Sequence, residues 1–370
     1  MKRTMLAAAP IAVLCLLSCA QPKPEGKEIT YTPQAPFAPP TYVCYQAPGT
    51  ITLDGILSPE EWDAVPWTTD FIDIEGDKRP KPLLQTRAKM THDDEGMYFA
   101  VLMEEPQVWG TITEHDAVIY QDNDFEIFLN PTNDTHNYME YEVNALGTEW
   151  DLFLSRPYRD APVVLNNWEF AGMKSAVYVD GTLNNPADTD KSWSVEVFIP
   201  WESIYQVTRG KGKPTSGEQM RVNFSRVEWT TEVQDGKYVK VPIKGEDKVR
   251  EYNWVWAPTG VVNIHMPEYW GYVQMTDSVA GTATVPFVQD PASETKWLLR
   301  NLYYRQNEYA ATFGSYATSL AELKPEEICT TEQAKQLALY TTPSQYELTL
   351  PAPDGQIWHI RQDGRIGMGK

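Results

Sequence analysis

The residues best placed to do chemistry sit in runs that alternate strictly. In Asp124–Asn130, Phe125, Ile127 and Leu129 fall on one face of a strand, and Asp124, Glu126, Phe128 and Asn130 on the other. In Tyr138–Asn144 the apolar set is Met139, Tyr141 and Val143, against Tyr138, Glu140, Glu142 and Asn144. Met220–Trp229 adds Arg221, Asn223 and Ser225 on one side. Trp193–Pro200 sets Trp193, Val195, Val197 and Ile199 against Ser194, Glu196 and Phe198. Side by side, such strands give one apolar face and one face of carboxylates, amides and rings. A polar face of this kind is by default a solvated exterior. The alternative is recognition of a polyol, through bidentate hydrogen bonds and stacking on rings. The acids also admit hydrolysis, which needs two carboxyls ~5–10 Å apart with one pKa raised, a spacing that Glu140 and Glu142 meet crudely.

Composition narrows the partners. The formal charge is −20, which becomes −22 once Lys2 and Arg3 are removed, and the pI is about 4.7. That balance argues against nucleic acid and against electrostatic attraction to anionic lipid. It suits calcium, and the acidic loops Asp122–Asp124 and Asp188–Asp190 are either ligand sets or plain turns. Thirteen Trp and twenty Tyr are many for this length; most serve a core, and the remainder are rings on which a pyranose face could stack. No CxxC, HExxH or Cys/His cluster occurs, so the sequence carries no zinc motif. Cys44 and Cys329 either pair in an oxidising compartment or stay as two buried thiols.

The elements that must position these groups follow from turns and period. Ile51-Thr52-Leu53-Asp54-Gly55 reads as a strand entering a turn, and Ser58-Pro59-Glu60-Glu61 as a helix start that brings Trp62 down onto a sheet. Leu84–Met90 and Met97–Met103 form a hairpin about Asp93-Asp94-Glu95-Gly96. Strand-like text runs to about residue 274. From Ser293 the period becomes helical, with Trp297, Leu298, Leu302, Tyr309 and Phe313 ahead of Gly314 as the stop. Tyr346–Leu350 and Ile357–Arg361 then alternate around Asp354-Gly355, a second hairpin.

The N-terminus reads as an address. Lys2 and Arg3 precede the apolar run Met5–Leu17, which is too short to span a bilayer, and Leu16-Leu17-Ser18-Cys19 resembles the bacterial lipobox. Cleavage before Cys19 and lipidation of that residue would anchor the protein to a membrane without spanning it. The expected divisions are a signal peptide at 1–18, a Pro- and Gly-rich flexible tether at 19–41, a β-sandwich at 42–280, and a helix and hairpin extension at 293–370. Ala20 after the cysteine favours the outer membrane, by resemblance to Gram-negative lipoproteins, with the membrane face left open.

In order along the chain, Ile51-x-Leu53-Asp54-Gly55, Trp62, Met97-Tyr98-Phe99-Ala100, Asp122-x-Asp124-Phe125-Glu126-Ile127-Phe128, Val143-Asn144, Trp193–Pro200 and Arg221–Arg226 resemble the family 9 carbohydrate-binding modules. Pro157-Tyr158-Arg159, Asn253-Trp254-Val255-Trp256 and Met266-Pro267-Glu268 are similar to the Bacteroides-type, family 9-like lipoproteins. This resemblance spans residues 42 to 275. It implies an all-β, antiparallel β-sandwich of the DOMON-like kind, non-catalytic, holding poly- or oligosaccharide at the cell envelope beside other glycan-utilisation proteins. It also implies structural calcium, for which Asp122 and Asp124 are the candidates. Family 9 modules clamp a terminal sugar between two tryptophans; here the clamp positions hold Tyr120 and His265, the gripping acid is Glu126, Asn263 stands beside the second ring, and Glu142 replaces an arginine. Asn144, Asn223, Ser225, Trp254 and Trp256 complete the expected carbohydrate-binding set. Three rivals stand against it: a hydrolase, a partner-binding lipoprotein whose sandwich has lost sugar affinity, and a haem-carrying relative using His265, Met90 or Met139.

Overall fold

The computed structural model describes residues 28–208, 212–342 and 344–369. The expected signal peptide and Cys19 lie outside them. Among the described residues no helix is long and apolar enough to cross a membrane.

In chain order the body contains β1 (Thr41–Gln46), α1 (Pro59–Trp62), β2 (Ile72–Asp73), β3 (Thr86–His92), β4 (Gly96–Glu104), β5 (Asp124–Asn130), β6 (Tyr138–Asn144), β7 (Glu149–Leu154), β8 (Val164–Leu165) and β9 (Lys174–Asp180). It continues with β10 (Ser192–Pro200), α2 (Trp201–Ile204), β11 (Gln219–Trp229), β12 (Thr231–Gln234), β13 (Lys237–Lys240), β14 (Glu251–Val255) and β15 (Gly271–Val279). One hydrogen-bonded path runs β8-β7-β6-β5-β11-β15-β1-β3-β4-β10-β9. It folds on itself into a sandwich: Phe125, Ile127, Leu129, Met139, Tyr141, Val143, Val222 and Phe224 of one layer meet Phe99, Val101, Met103, Trp193, Val195 and Val197 of the other in a single core. The apolar faces are those the alternation predicts. Where the sequence predicts antiparallel pairing throughout, β1 differs. It runs parallel to β15 through Thr41–Cys44 and parallel to β3 at Tyr45 and Gln46, with a register shift between Cys44 and Gln46 that turns the corner between layers.

Local chemistry fixes the flanks. Asp93 Oδ1 accepts from the amides of Glu95 and Gly96, closing the β3–β4 hairpin. Trp62 descends from α1 and donates through Nε1 to Glu196 Oε1 at 2.6 Å, while Glu196 Oε2 accepts from the amides of Asp54 and Gly55. Gly55 must be glycine: its φ is +82°, and a Cβ there would sit 2.6 Å from the amide nitrogen of Tyr178. The polar side of β10 is thus spent on α1 and the Asp54-Gly55 turn. It belongs to the opposite outer face from the polar sides of β5, β6 and β11.

The tail has its own core. Leu298, Leu299, Leu302, Tyr303 and Tyr309 of α3 (Ser293–Phe313) pack on Tyr346, Leu348, Leu350, Ile360 and Ile366. Gly314 ends the helix in the left-handed region. Beyond it lies α4 (Thr331–Gln336). The expected hairpin is the centre of a four-stranded meander, β16 (Ala338–Thr341), β17 (Tyr346–Pro351), β18 (Ile357–Arg361) and β19 (Ile366–Met368).

One expectation needs correction, and one open alternative is resolved. Much of the tether expected over 19–41 is a packed strap: Tyr31 is buried in the tail core and donates to the carbonyl of Glu322, Phe37 stacks on Trp297 at 4.7 Å, and the Pro40 carbonyl accepts from the Tyr272 amide. Its prolines suit an extended path along a groove as well as they suit a free linker. The Cys44–Cys329 disulfide is absent and both thiols are free. Cys44 belongs to the sandwich core and Cys329 to the edge of the tail core, where its Sγ donates to the Pro325 carbonyl.

Candidate functional site

Strands β11, β5, β6 and β7 lie next to one another, and their register aligns outward residues in rows. Ser225 faces Glu126, Glu126 faces Glu142, and Glu142 faces Trp150. In the adjacent row Asn223 faces Phe128, Phe128 faces Glu140, and Glu140 faces Leu152. Like charges directly opposite destabilise a sheet, so Glu126 against Glu142 carries a cost that packing alone does not explain.

This face is not a solvated exterior. The segment between β14 and β15 folds over it, and Phe128, Tyr138, Leu152, Leu154 and Trp270 seal one end as a small satellite core. What remains open is a cleft of about 480 Å³. Glu126, Glu140 and Glu142 line it together with Glu251, Asn253 and Asn263. Tyr120, Tyr158, Trp150, Val118 and Val262 line it as well, with Tyr120 38% and Tyr158 48% exposed. Tyr120 arrives on a short 3-10 turn just before β5; its amide donates to Glu142 Oε2 at 3.2 Å and its carbonyl accepts from Trp229 Nε1 at 2.9 Å.

The acids are held out of water, and among the described residues no Lys or Arg lines the cleft beside them. Burial, with the nearby Glu251 carboxylate, pushes Glu126 up to about 7 against the opposing hydrogen bond from Ser225. Glu140 and Glu142 rise well above the usual carboxylate range, through burial first and then the charge of Glu126. Asp124, beneath them, rises for the same reasons. Asp124, Glu126 and Glu142 each bring one oxygen within 4.8 Å of the others. That trio is suited to sharing protons or holding a hard cation. His265 is wedged against Tyr158 (centroids 4.5 Å apart, 87°), with Nδ1 3.0 Å from the Tyr138 hydroxyl and Nε2 3.9 Å from Glu140 Oε2. Burial, then Arg159, pushes its pKa down to about 3, so it stands there as a neutral ring.

Of the residues expected to bind carbohydrate, Tyr120, Glu126, Glu142, Asn263 and His265 meet in the cleft. Ser225 lies behind Glu126 as its hydrogen-bond partner. The other four do not line it. Asn144 donates to the Ile112 carbonyl and to Asp122 Oδ2, holding a loop. Asn223 brackets Ala257, donating to its carbonyl and accepting from its amide. Trp254 and Trp256 are core residues of the sandwich. Asp122 is a loop organiser: Oδ2 accepts from Thr111 N, Ile112 N and Asn144 Nδ2, and Oδ1 from Thr111 Oγ1, so both its oxygens are already engaged. Met90 and Met139 are buried in the core on the far side of the sheet from His265, and no axial pair forms. Sequence reasoning missed Tyr158, Trp150 and Glu251 as cleft residues. Tyr158 was within reach, because the Pro157-Tyr158-Arg159 segment presents a ring on a turn.

A larger hollow of about 860 Å³ lies between tail and body, but its charges are already matched, Lys296 with Asp290 and Arg365 with Asp134.

Comparison with protein-family models and with curated proteins returns no match. Among solved structures the chain is similar to a protein from Bacteroides uniformis proposed to bind carbohydrate, at 15% identity and a TM-score of 0.47, over 65% of this chain and 100% of that one. It is similar to a family 9 carbohydrate-binding module from Caldicellulosiruptor kristjanssonii in complex with cellotriose, at 16% identity, TM-score 0.40, over 67% of this chain and 100% of the module. The module in complex with glucose gives 15%, 0.40, 66% and 100%.

Proposed function

We propose that this is a lipid-anchored, non-catalytic carbohydrate-binding protein of the cell envelope, which grips poly- or oligosaccharide in the acid-floored cleft. The observation that carries the reading is the pairing, in one cleft, of two exposed tyrosine rings with three buried carboxyls and two asparagines. A sugar offers an apolar C–H face to the rings and hydroxyls to the polar groups. Because the acids retain protons towards neutrality, they donate as well as accept, and a neutral glycan meets no repulsion. A uronate or sulfated chain would meet no counter-charge, since among the described residues no Lys or Arg lines the cleft.

The test is calorimetric titration and a glycan array with neutral and uronate oligosaccharides. Neutral glycans should bind, and Tyr120→Ala and Tyr158→Ala should each weaken binding about tenfold, close to 1.4 kcal/mol. Failure of every glycan would favour a partner-binding sandwich. The raised pKa of Glu126 and its place opposite Glu142 keep one catalytic rival: release of reducing ends that disappears in Glu126→Gln would replace binding with glycoside hydrolysis.

The anchor rests on the Leu16-Leu17-Ser18-Cys19 motif, and the outer membrane on Ala20. Expressed with its leader, the parent should fractionate with membranes and take up labelled fatty acid. Cys19→Ala should be unlabelled and soluble.

A further inference from the structure

Away from the cleft, four side chains from three separate segments converge. His115 and Asp116 come from the loop ahead of Tyr120, Asp151 from β7 next to Trp150, and Glu169 from the segment between β8 and β9. Each brings one ligand atom, and all four atoms lie within 4.8 Å of one another. His115 Nε2 is 3.0 Å from Glu169 Oε1 and 3.5 Å from Asp116 Oδ1.

Proximity of acids alone would mean little, but two of the oxygens are buried without a hydrogen-bond partner. Asp151 is fully buried; its Oδ2 accepts from the Phe170 amide at 2.6 Å, and its Oδ1 is buried with no hydrogen-bond partner. Asp116 Oδ1 is likewise buried without one. An acceptor taken from water and left unmatched is costly, and two in one cluster need a common explanation. A cation satisfies both at once. Bonds of ~2.0–2.6 Å to a central ion hold ligand atoms no more than ~4–5 Å apart, which is the spread observed. One imidazole among carboxylates favours a divalent transition ion over calcium, which takes oxygen ligands.

We infer that His115, Asp116, Asp151 and Glu169 bind a divalent transition-metal ion of the zinc class, a clip that fastens the loop bearing Tyr120 to the strand bearing Trp150. The two ends of the clip are the two sides of the cleft: Asp116 already donates its amide to the Glu149 carbonyl, one residue from Trp150. The ion adds the cross-link that the side chains lack. Its existence does not depend on the sugar reading. No zinc motif is legible along the chain because the ligands are spread from residue 115 to residue 169 and meet only through the fold.

The experiment uses the full chain, stripped by chelator and then titrated with zinc chloride by calorimetry, with cobalt(II) as a coloured stand-in. One ion should bind per chain. His115→Ala and Asp151→Asn should each weaken it at least tenfold, while Glu332→Gln, on exposed α4, leaves it unchanged. His115 is half-exposed, so its alanine variant keeps the fold even should Asp151→Asn destabilise it. Zinc should slow hydrogen exchange across residues 111–121 in the parent but not in His115→Ala. Absence of stoichiometric binding, binding indifferent to His115→Ala, or exchange in that loop unaltered by zinc would overturn the inference.

Discussion

Arg159→Ala should lower the unfolding free energy by about 3–5 kcal/mol. Arg159 Nη2 lies 3.0 Å from Glu268 Oε2, and its Nε 3.5 Å from Asp160 Oδ2; both acids are 5% exposed. Glu268 also accepts from the Tyr304 hydroxyl, and Asp160 from that of Tyr303. Burial would push Glu268 up, but Arg159, with Arg300 and the Tyr304 hydroxyl, brings it down to about 2. Removing the guanidinium strands a buried carboxylate at the seam between body and tail, and exposes a cavity beside α3. The sign of the pH dependence follows. A carboxyl depressed in the folded state contributes stability above the unfolded value, near 4.5, and loses it as pH falls towards 2. Denaturant titrations at pH 7 and pH 3 should therefore show the gap between parent and variant narrowing in acid. A loss under about 1 kcal/mol at pH 7 would mean that Arg300 alone holds Glu268.

Glu126→Gln should behave in the opposite sense. The folded carboxyl is raised from 4.5 to about 7, so between those values the unfolded chain releases a proton that the folded chain keeps. The parent therefore loses stability as pH rises through that window, by about 3 kcal/mol over its full width. Glutamine has no proton to lose and keeps a partner for Ser225. Relative to the parent, the variant should gain up to that amount between pH 5 and pH 8, read from denaturation at both. A difference constant with pH would show that Glu126 titrates as freely as an exposed acid. Above pH 7 the Glu126 charge then appears on the cleft floor, which makes a neutral ligand easiest to bind on the acid side.

The alternation in β5, β6 and β11 was enough to separate core from cleft face, because a period of two leaves no other assignment for Phe125, Ile127 and Leu129. The floor acids followed directly, since residues 126, 140 and 142 share that face by parity. What parity cannot supply is the cover. That face became a cleft through the segment from 256 to 270, the Tyr158 turn and the loop before Tyr120, whose paths depend on tertiary contacts such as Arg159 with Glu268. Trp254 and Trp256 failed as site residues for a related reason: a strand rich in tryptophan looks the same whether the rings face a ligand or a core. Gly271, whose Cβ would sit 2.3 Å from Trp256, shows how tightly that ring is seated. The flexible tether failed because composition reports what a segment can do in isolation, while Phe37 on Trp297 and Tyr31 in the tail core are decided by a helix about 260 residues away.

The strap and the parallel pairing of β1 bear on how the molecule carries load. If, as proposed, the chain is moored by its N-terminus and grips a glycan at its cleft, it is pulled from both ends. Tension entering at residue 28 meets first the strap, lying along α3 through Thr32 with Glu308 and Phe37 with Trp297, and then β1. Because β1 runs alongside β15 and β3 in the centre of the path, a pull along it strains its ladder bonds together in shear instead of peeling them singly. The N-terminal segment would therefore part first at the tail, a yielding element in series with a stiff one, leaving the grip on the ligand intact while the slack is taken up.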